Sequence, residues 1–372
     1  MNIKHIAIAA FALLLGMGVP TSRADILYVG EGNNAGGHID KYTSSGARLP
    51  FGAVGSPTGL AFDAAGSLYA ADLPTNSIYK FTPGGVRWTF ASTGMNQPSG
   101  IAFDGAGNLY VSNYPTQNIL KFTIGGVRTV FAPALLGHPL DLAFDAAGNL
   151  YAASTPYNDP DGGGIIEKFT PGGAGSVFAS GLDGIRGLAF DSAGNLFVSN
   201  GNYYGSADST VLKFTIGGEK SVFANFGTSF PQGLAFDSGG NLYVANYGNE
   251  TGSKKITKFT PEGVASTFVT LSNADLPRYL AFTDDAGRRL QVPPVPEPSA
   301  ALVNPRRSEV NGIAKFHFDL LGKAGRTYQL QSSPALNTWT NLDRVTLSAP
   351  SLPIELTIPP GQPQQFYRAI AQ

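Results

Sequence analysis

One five-residue phrase, repeated six times, constrains this chain more than anything else in it. Gly59-Leu-Ala-Phe-Asp63 returns as Gly100-Ile-Ala-Phe-Asp104, Asp141-Leu-Ala-Phe-Asp145, Gly187-Leu-Ala-Phe-Asp191, Gly233-Leu-Ala-Phe-Asp237 and Tyr279-Leu-Ala-Phe-Thr283, at spacings of 41, 41, 46, 46 and 46 residues. A period of about 40 to 50 residues is that of a propeller blade of four strands, and is too long for leucine-rich or tetratricopeptide units. Each period carries its strand signals in the same order. The opening phrase is followed by an Asp-x-x-Gly turn, an apolar run such as Leu242-Tyr-Val-Ala-Asn246, a variable loop, a run such as Ile256-Thr-Lys-Phe259, a Pro-Gly-Gly or Ile-Gly-Gly turn, and a last strand. The glycines supply the positive φ that tight hairpins require. The aspartates Asp63, Asp104, Asp145, Asp191 and Asp237 are therefore read as turn-makers. Lys41, Lys80, Lys121, Lys168, Lys213 and Lys258 each precede an aromatic residue on the third strand. Their apolar stems are expected to cover the blade while the ammonium groups reach water.

The expected fold class is all-β: a six-bladed β-propeller over residues 25–292, followed by a small β-sandwich. Residues 26–52 match the second, third and fourth strands of a blade without a first, and Tyr279 to Thr283 supply a first strand without a complete blade. Pairing the N-terminal with the C-terminal strands would close the ring and leave no unpaired blade face. Ile26 to Val29 and Arg289 to Val292 compete for one second-strand slot.

These repeats resemble the NHL repeat, a propeller relative of the regucalcin/gluconolactonase and virginiamycin B lyase folds. The resemblance rests on the GLAFD phrase, the Gly-Asn-Leu-Tyr turn and strand, and Lys-Phe-Thr-Pro-Gly-Gly, and it covers Asp25 to about Val292. The Trp-Asp and Gly-His signatures of WD repeats are missing.

Residues 1–24 read as a signal peptide: Lys4 and His5, a 14-residue apolar run from Ile6 to Val19, then Ser22-Arg23-Ala24 before Asp25. That run is shorter than the ~20 residues needed to span a bilayer. The mature protein is expected to be secreted or periplasmic, without stable membrane insertion. Cysteine is absent, which excludes disulfides, thiolate catalysis and cysteine metal sites. The formal net charge of −1 and the lack of a basic stripe exclude nucleic acid as a partner. Residues 293–313 are read as a proline-rich linker, although Val295-Pro-Glu-Pro-Ser299 resembles the head of a PEP-CTERM sorting signal. That signal's apolar helix and terminal basic cluster do not follow. Residues 314–372 carry strands at 315–321, 327–332, 339–347, 354–358 and 365–370 and resemble a module appended to secreted bacterial proteins, with Tyr328, Trp339 and Phe366 as core aromatics.

Propeller ligands bind on one face. Just after the second strands stand Glu31, Asp72, Asn113, Ser154, Asn200 and Asn246, one per blade, and at the entrances to the first strands stand Thr58, Ser99, Leu140, Arg186, Gln232 and Arg278. The resemblance to lactonase-type propellers implies, as an alternative to a cofactor-free protein, a divalent cation such as calcium held by Glu31, Asp72, Asn113 and Asn200, oxygen donors that suit a hard ion. The virginiamycin-type route needs histidines, and only His38 and His138 lie in face loops. Asp159-Pro-Asp161-Gly162 lacks the rest of a calcium loop and reads as a turn. No Ser-His-Asp order, phosphate-binding glycine loop or paired-histidine motif occurs. The loops after the second strands instead mix Tyr114, Tyr157, Tyr203, Tyr204 and Tyr247 with Asn118, Asn158, Asn202 and Asn249. Rings beside amides suit a glycan, peptide or protein ligand, and they equally suit packing of the loops onto the rim. The candidate ligand-binding residues are those tyrosines with Asn200, Asn246, Arg186 and Arg278. The expected function is that of a non-catalytic binding or scaffold propeller, with a metal-dependent lactonase-type hydrolase or lyase as the alternative.

Overall fold

The structure is a computed structural model and describes residues 25–32, 36–156, 163–201, 209–248, 254–272, 275–284, 290, 301–310, 313–321, 327–333, 340–348, 351–357 and 366–371. Among these residues every regular element is a strand, and the chain divides into two units, residues 1–292 and 293–372.

Unit one contains six four-stranded antiparallel sheets, a β-propeller arrangement. Five are built from consecutive strands; the first of these, Pro57–Phe62, Leu68–Asp72, Ser77–Phe81 and Arg87–Ala91, shows the pattern. The sixth combines Leu276–Thr283 with Ile26–Gly32, Gly37–Tyr42 and Arg48–Val54. Ile26–Gly32 pairs with Leu276–Thr283 from Ile26↔Thr283 to Gly32↔Leu276, so Ile26 to Val29 occupy the contested slot. Leu290 packs against the cluster beside it, while Arg289, Gln291 and Val292 lie outside the described residues.

The repeated phrase explains why the sheets stack. Its phenylalanine meets the second-strand aromatic of the preceding sheet edge-on: Phe103 is 4.9 Å from Tyr69, Phe144 5.0 Å from Tyr110, Phe190 5.0 Å from Tyr151, Phe236 5.2 Å from Phe197, Phe282 4.8 Å from Tyr243 and Phe62 4.8 Å from Tyr28. A fourth-strand phenylalanine completes each trio, as Phe90 does 5.0 Å from Tyr69. Such edge-to-face pairs each contribute about 0.5–1.5 kcal/mol beyond area burial. Each junction carries one apolar cluster, and the clusters run in a cycle. Tyr243 and Ile256 of the fifth consecutive sheet pack with Leu27 and Val29 of the composite sheet, which in turn packs Tyr28 and Ile39 against Leu60 and Phe62.

The aspartates do build the turns. Asp63 Oδ1 accepts from the amides of Ala65 and Ser67 at 3.0 and 2.8 Å, and Gly66 takes φ 79°. The lysines lie over the second-strand rings, Lys80 Nζ 4.9 Å from the Tyr69 centroid and Lys121 Nζ 5.1 Å from that of Tyr110.

Unit two holds two three-stranded sheets, one of Ala301–Val310, Ile313–Leu321 and Ser351–Thr357, the other of Thr340–Thr346, Thr327–Ser333 and Phe366–Ala371. They share one cluster of Phe318, Leu320, Tyr328, Leu330 and Leu347. Tyr328 is a core residue as expected; Trp339 lies outside the described residues, as does the Phe366 side chain. The strand Ala301–Val310 falls inside the stretch read as linker. Prolines argue against a central strand, but this strand is at a sheet edge and Pro305 sits where its register shifts between Val303 and Arg306, the two places where a strand tolerates proline.

Candidate functional site

The first strands of the six sheets neighbour one another in a closed cycle around the centre of unit one. The first residue of the repeated phrase shows how tight that centre is. A Cβ on Gly59 would lie 2.2 Å from Ser99 O, one on Gly100 2.5 Å from Asp141 Cα, one on Gly187 2.3 Å from Gln232 O and one on Gly233 2.4 Å from Arg278 O. Glycine is needed there because the strands approach too closely for a side chain. Two of the six positions break the rule, Asp141 and Tyr279, and they meet each other's field at the centre.

Asp141 Oδ1 accepts from the amide of Leu142 and Oδ2 from that of Leu188 in the next sheet, both at 2.9 Å. Burial pushes its carboxyl up to about 7, against the pull of those two bonds. The Tyr279 hydroxyl lies 3.3 Å from Ser99 Oγ. Ser99 Oγ donates its proton to Leu140 O at 2.7 Å, so Tyr279 is the donor in that pair. Burial, reinforced by the charge of Asp141, pushes the Tyr279 phenol up to about 12, which keeps it a proton donor at neutral pH. Both side chains keep some contact with solvent.

One residue earlier in each phrase stand the entrance positions. Thr58 and Ser99 are buried, and Thr58 Oγ1 donates to Pro98 O at 2.6 Å. Arg186 and Arg278 are half-buried, and both guanidinium groups act on Tyr279, drawing its pKa back down. Arg278 reaches Gly32 at the end of Ile26–Gly32, where a Cβ would stand 3.5 Å from its Nε. Neither arginine makes a hydrogen bond or ion pair among the described residues.

The other candidates are engaged in their own sheets. Asp72 Oδ1 accepts from Ser56 N at 2.7 Å, Asn113 Oδ1 from Asn96 N at 3.2 Å and Asn200 Oδ1 from Asp183 N at 2.9 Å. In each case a second-strand end ties down the segment entering the first strand of the same sheet. Where Ser154 is too short, Glu167 Oε2 accepts from Leu136 N at 3.2 Å instead. Asn246 occupies the matching buried place in its own sheet. Tyr114 stacks on His138 at 4.6 Å, and His138 Nδ1 donates to Tyr114 O at 2.6 Å. Tyr247 lies 6.4 Å from Phe230 and under Lys254. Tyr157, Tyr203 and Tyr204 lie outside the described residues, as do Asn158, Asn202, Asn249 and the Asp159–Gly162 turn.

Glu31 belongs to a different assembly. Tyr42 donates its hydroxyl proton to Glu31 Oε1 at 3.0 Å, and Arg48 reaches Glu31 Oε2 at 3.2 Å, Asp275 Oδ2 at 3.0 Å and Asp40. His38 Nε2 lies 3.2 Å from Glu31 Oε2. Burial first, then the charges of Asp275 and Asp40, push Glu31 up to about 8 despite Arg48 and Tyr42. Glu31, His38 and Asp275 are the one trio of metal-type donors among the described residues. Arg48 already supplies the positive charge that an ion would bring. Glu31, Asp72, Asn113 and Asn200 each make hydrogen bonds of their own, each in a different sheet.

Asp141, Tyr279 and Ser99 were not singled out from the sequence as one site. The signal was present as the two breaks in the glycine position of the repeat.

The family described as the SMP-30/gluconolactonase/LRE-like region matches residues 135–293. No curated protein matches the chain. Among solved structures the fold is similar to a gluconolactonase from Xanthomonas campestris, at 19% identity, 61% of this chain, 82% of that chain and a TM-score of 0.50. A putative gluconolactonase aligns at 18% identity, 62% and 82% coverage and a TM-score of 0.50. A protein of unknown function from Bacteroides caccae aligns at 14% identity, 70% and 98% coverage and a TM-score of 0.51. At these identities the likeness is one of fold.

Proposed function

We propose that the chain is an exported, non-catalytic binding protein, a six-bladed NHL-type propeller whose ligand enters along the axis, with unit two as a small appended β-sandwich. One observation carries this reading: the repeat is broken at its most crowded layer by Asp141 and Tyr279, directly beside Arg186 and Arg278. Departures from an otherwise consistent local pattern collect where a protein gives up regularity for function. Tyr114 and Tyr247, by contrast, spend ring surface on His138, Phe230 and Lys254, which favours the rim-packing role for them. Export agrees with the seat of Asp25, whose Oδ2 accepts from Ser238 N and Oγ at 2.6 Å each: a chain cut after Ala24 would begin at a residue already anchored.

The test is a glycan and peptide array followed by calorimetry on the mature protein. Tyr279→Phe with Ser99→Ala is expected to weaken the best ligand at least tenfold, and Tyr114→Ala with Tyr247→Ala to change it less than threefold. The reverse order would move the site to the rim.

A lactonase-type hydrolase is the second reading, favoured by the family match over residues 135–293. It is tested by lactone hydrolysis with calcium and with chelator. Turnover abolished by chelator would install it.

A further inference from the structure

We infer that the axial mouth is a carboxylate site, in which Arg186 and Arg278 together take the anionic end of a small organic acid. This rests on the reading of the axis as the binding site and adds the class of ligand.

Three features converge on it. First, two half-buried guanidinium groups stand at entrance positions of the first strands Ile185–Phe190 and Leu276–Thr283 and make no hydrogen bond or ion pair among the described residues. Removing a charge from bulk water without a partner is costly, so buried or half-buried charges are normally paired. The other three described arginines of unit one all have partners: Arg48 three carboxylates, Arg87 the carbonyl Ala53 O at 2.6 Å and Arg128 the carbonyl Thr93 O at 3.1 Å. Arginine's planar fork matches a carboxylate bidentately.

Second, both groups lie within electrostatic reach of the Tyr279 hydroxyl, a donor that can add a hydrogen bond to the same anion. Third, among the described residues Asp141 is the carboxylate whose charge acts on Tyr279, and its two oxygens already accept backbone N–H groups. It thus leaves the arginine forks open to an outside anion; a phosphate dianion would face Asp141 with twice the charge of a carboxylate.

The site also has a pH signature. Asp141 and Tyr279 act on each other, and Tyr279 remains neutral through pH 8.5. As pH rises past about 7, Asp141 gains a negative charge beside the site and repels an anion, so a carboxylate ligand ionised throughout should bind more weakly at pH 8.5 than at pH 5.5.

The experiment is calorimetry of the full mature chain with D-galacturonic acid, its uncharged counterpart D-galactose, galactose 6-phosphate and galactose 6-sulfate. The acid is expected to bind at least tenfold more tightly than the other three. Arg186→Gln and Arg278→Gln should each weaken it tenfold or more, and Asp141→Asn should remove the pH dependence. Arg186→Lys and Arg278→Lys keep the charge but lose the fork. They should weaken binding as well, and they serve if the glutamine variants do not fold. Equal binding of galactose, unaffected by the arginine changes but lost with Tyr279→Phe, would overturn the carboxylate class and leave the axial site standing. Acid binding that survives both arginine changes and disappears with Tyr114→Ala and Tyr247→Ala would overturn site and class together. Tighter binding of the phosphate or the sulfate ester, or no binding of the acid at millimolar concentration, would overturn the carboxylate class.

Discussion

The composite sheet and the five consecutive sheets reach the same core by different routes. In the aromatic trios they are indistinguishable: Tyr28 lies 5.0 Å from Phe51, as Tyr69 lies 5.0 Å from Phe90. Their charges differ. Four consecutive sheets fasten a first-strand turn to the third strand with one local ion pair, Lys80 to Asp63 at 3.0 Å, Lys121 to Asp104 at 3.8 Å, Lys168 to Asp145 at 3.9 Å and Lys258 to Asp237 at 3.8 Å. In the composite sheet Thr283 replaces the aspartate, and Lys41 has no acidic partner among the described residues, lying over Phe51 at 4.5 Å instead. Arg48 takes over there, joining Glu31, Asp40 and, 227 residues away in sequence, Asp275. A hairpin sets strand register by its turn. Where the chain offers no turn between Leu276–Thr283 and Ile26–Gly32, a charge network at the junction supplies the missing specificity.

The strongest way to break that comparison is to remove the strands themselves. Deleting residues 25–54 should abolish the cooperative unfolding transition, because it exposes the apolar faces of two sheets at once. Deleting residues 293–372 should leave the transition of unit one within a few degrees of the full chain. Calorimetric scans of both truncations decide it, and equal losses would mean that the composite sheet is no closure.

Next in size is the network. Arg48→Met leaves Glu31, Asp40 and Asp275 buried without their cation. Because the Arg48 side chain is itself 41% exposed, solvent screens part of the loss, and the cost should be about 1–3 kcal/mol, below that of breaking a fully buried pair. Chemical denaturation measures it. A loss below about 1 kcal/mol would show that the junction is held by apolar contacts alone.

What was legible beforehand follows from the range of each interaction. Turns, strands and the lysine stripe are set within one period, so Asp63, Gly66 and Lys80 announced themselves. The pairing of Ile26–Gly32 with Leu276–Thr283 was legible because strand types were missing at both ends. The Arg48 network was not, since its members come from three strands and a segment more than 200 residues on, and none repeats. The strand Ala301–Val310 was hidden by Pro305 and by the run of prolines just before it. The axial residues Asp141 and Tyr279 were hidden differently: attention to what recurs passed over the positions where recurrence fails.

A pH titration sharpens the comparison further. Glu31 rises from its ordinary 4.5 to about 8 and Asp141 from 3.8 to about 7, so the fold favours the protonated form of each. Their contribution is fully present below the ordinary values and is lost as pH climbs to about 8 and 7. The unfolding free energy should therefore fall from about pH 4 to pH 8, by at most about 1.4 kcal/mol per pH unit for each group, and the melting temperature with it. Asp275, held low by hydrogen bonds from Ser272 and Arg48 although burial pushes it upward, acts in the opposite direction only below its ordinary 3.8. Glu31→Gln should flatten the upper part of the profile. An unchanged slope would place the titrating groups elsewhere.

The smallest effect concerns the lysines of the consecutive sheets. Lys80 has both Asp63 at 3.0 Å and the Tyr69 ring at 4.9 Å. Lys213 has the Phe197 ring at 5.3 Å and no acidic partner among the described residues. Both side chains are partly exposed, so solvent screens the pair and each contact is worth about 0.2–1 kcal/mol. Methionine keeps most of the stem's coverage and removes only the charge. Lys80→Met should accordingly cost about 0.5–1 kcal/mol and Lys213→Met about half that or less, a difference resolved by paired urea titrations. Raising the salt to 1 M should shrink the difference, because the ion pair is screened over a Debye length of about 3 Å while the stem's packing is not. Equal costs that do not respond to salt would assign the lysine ring to coverage alone, leaving the Arg48 network as the composite sheet's charged fastening with no counterpart in the other five.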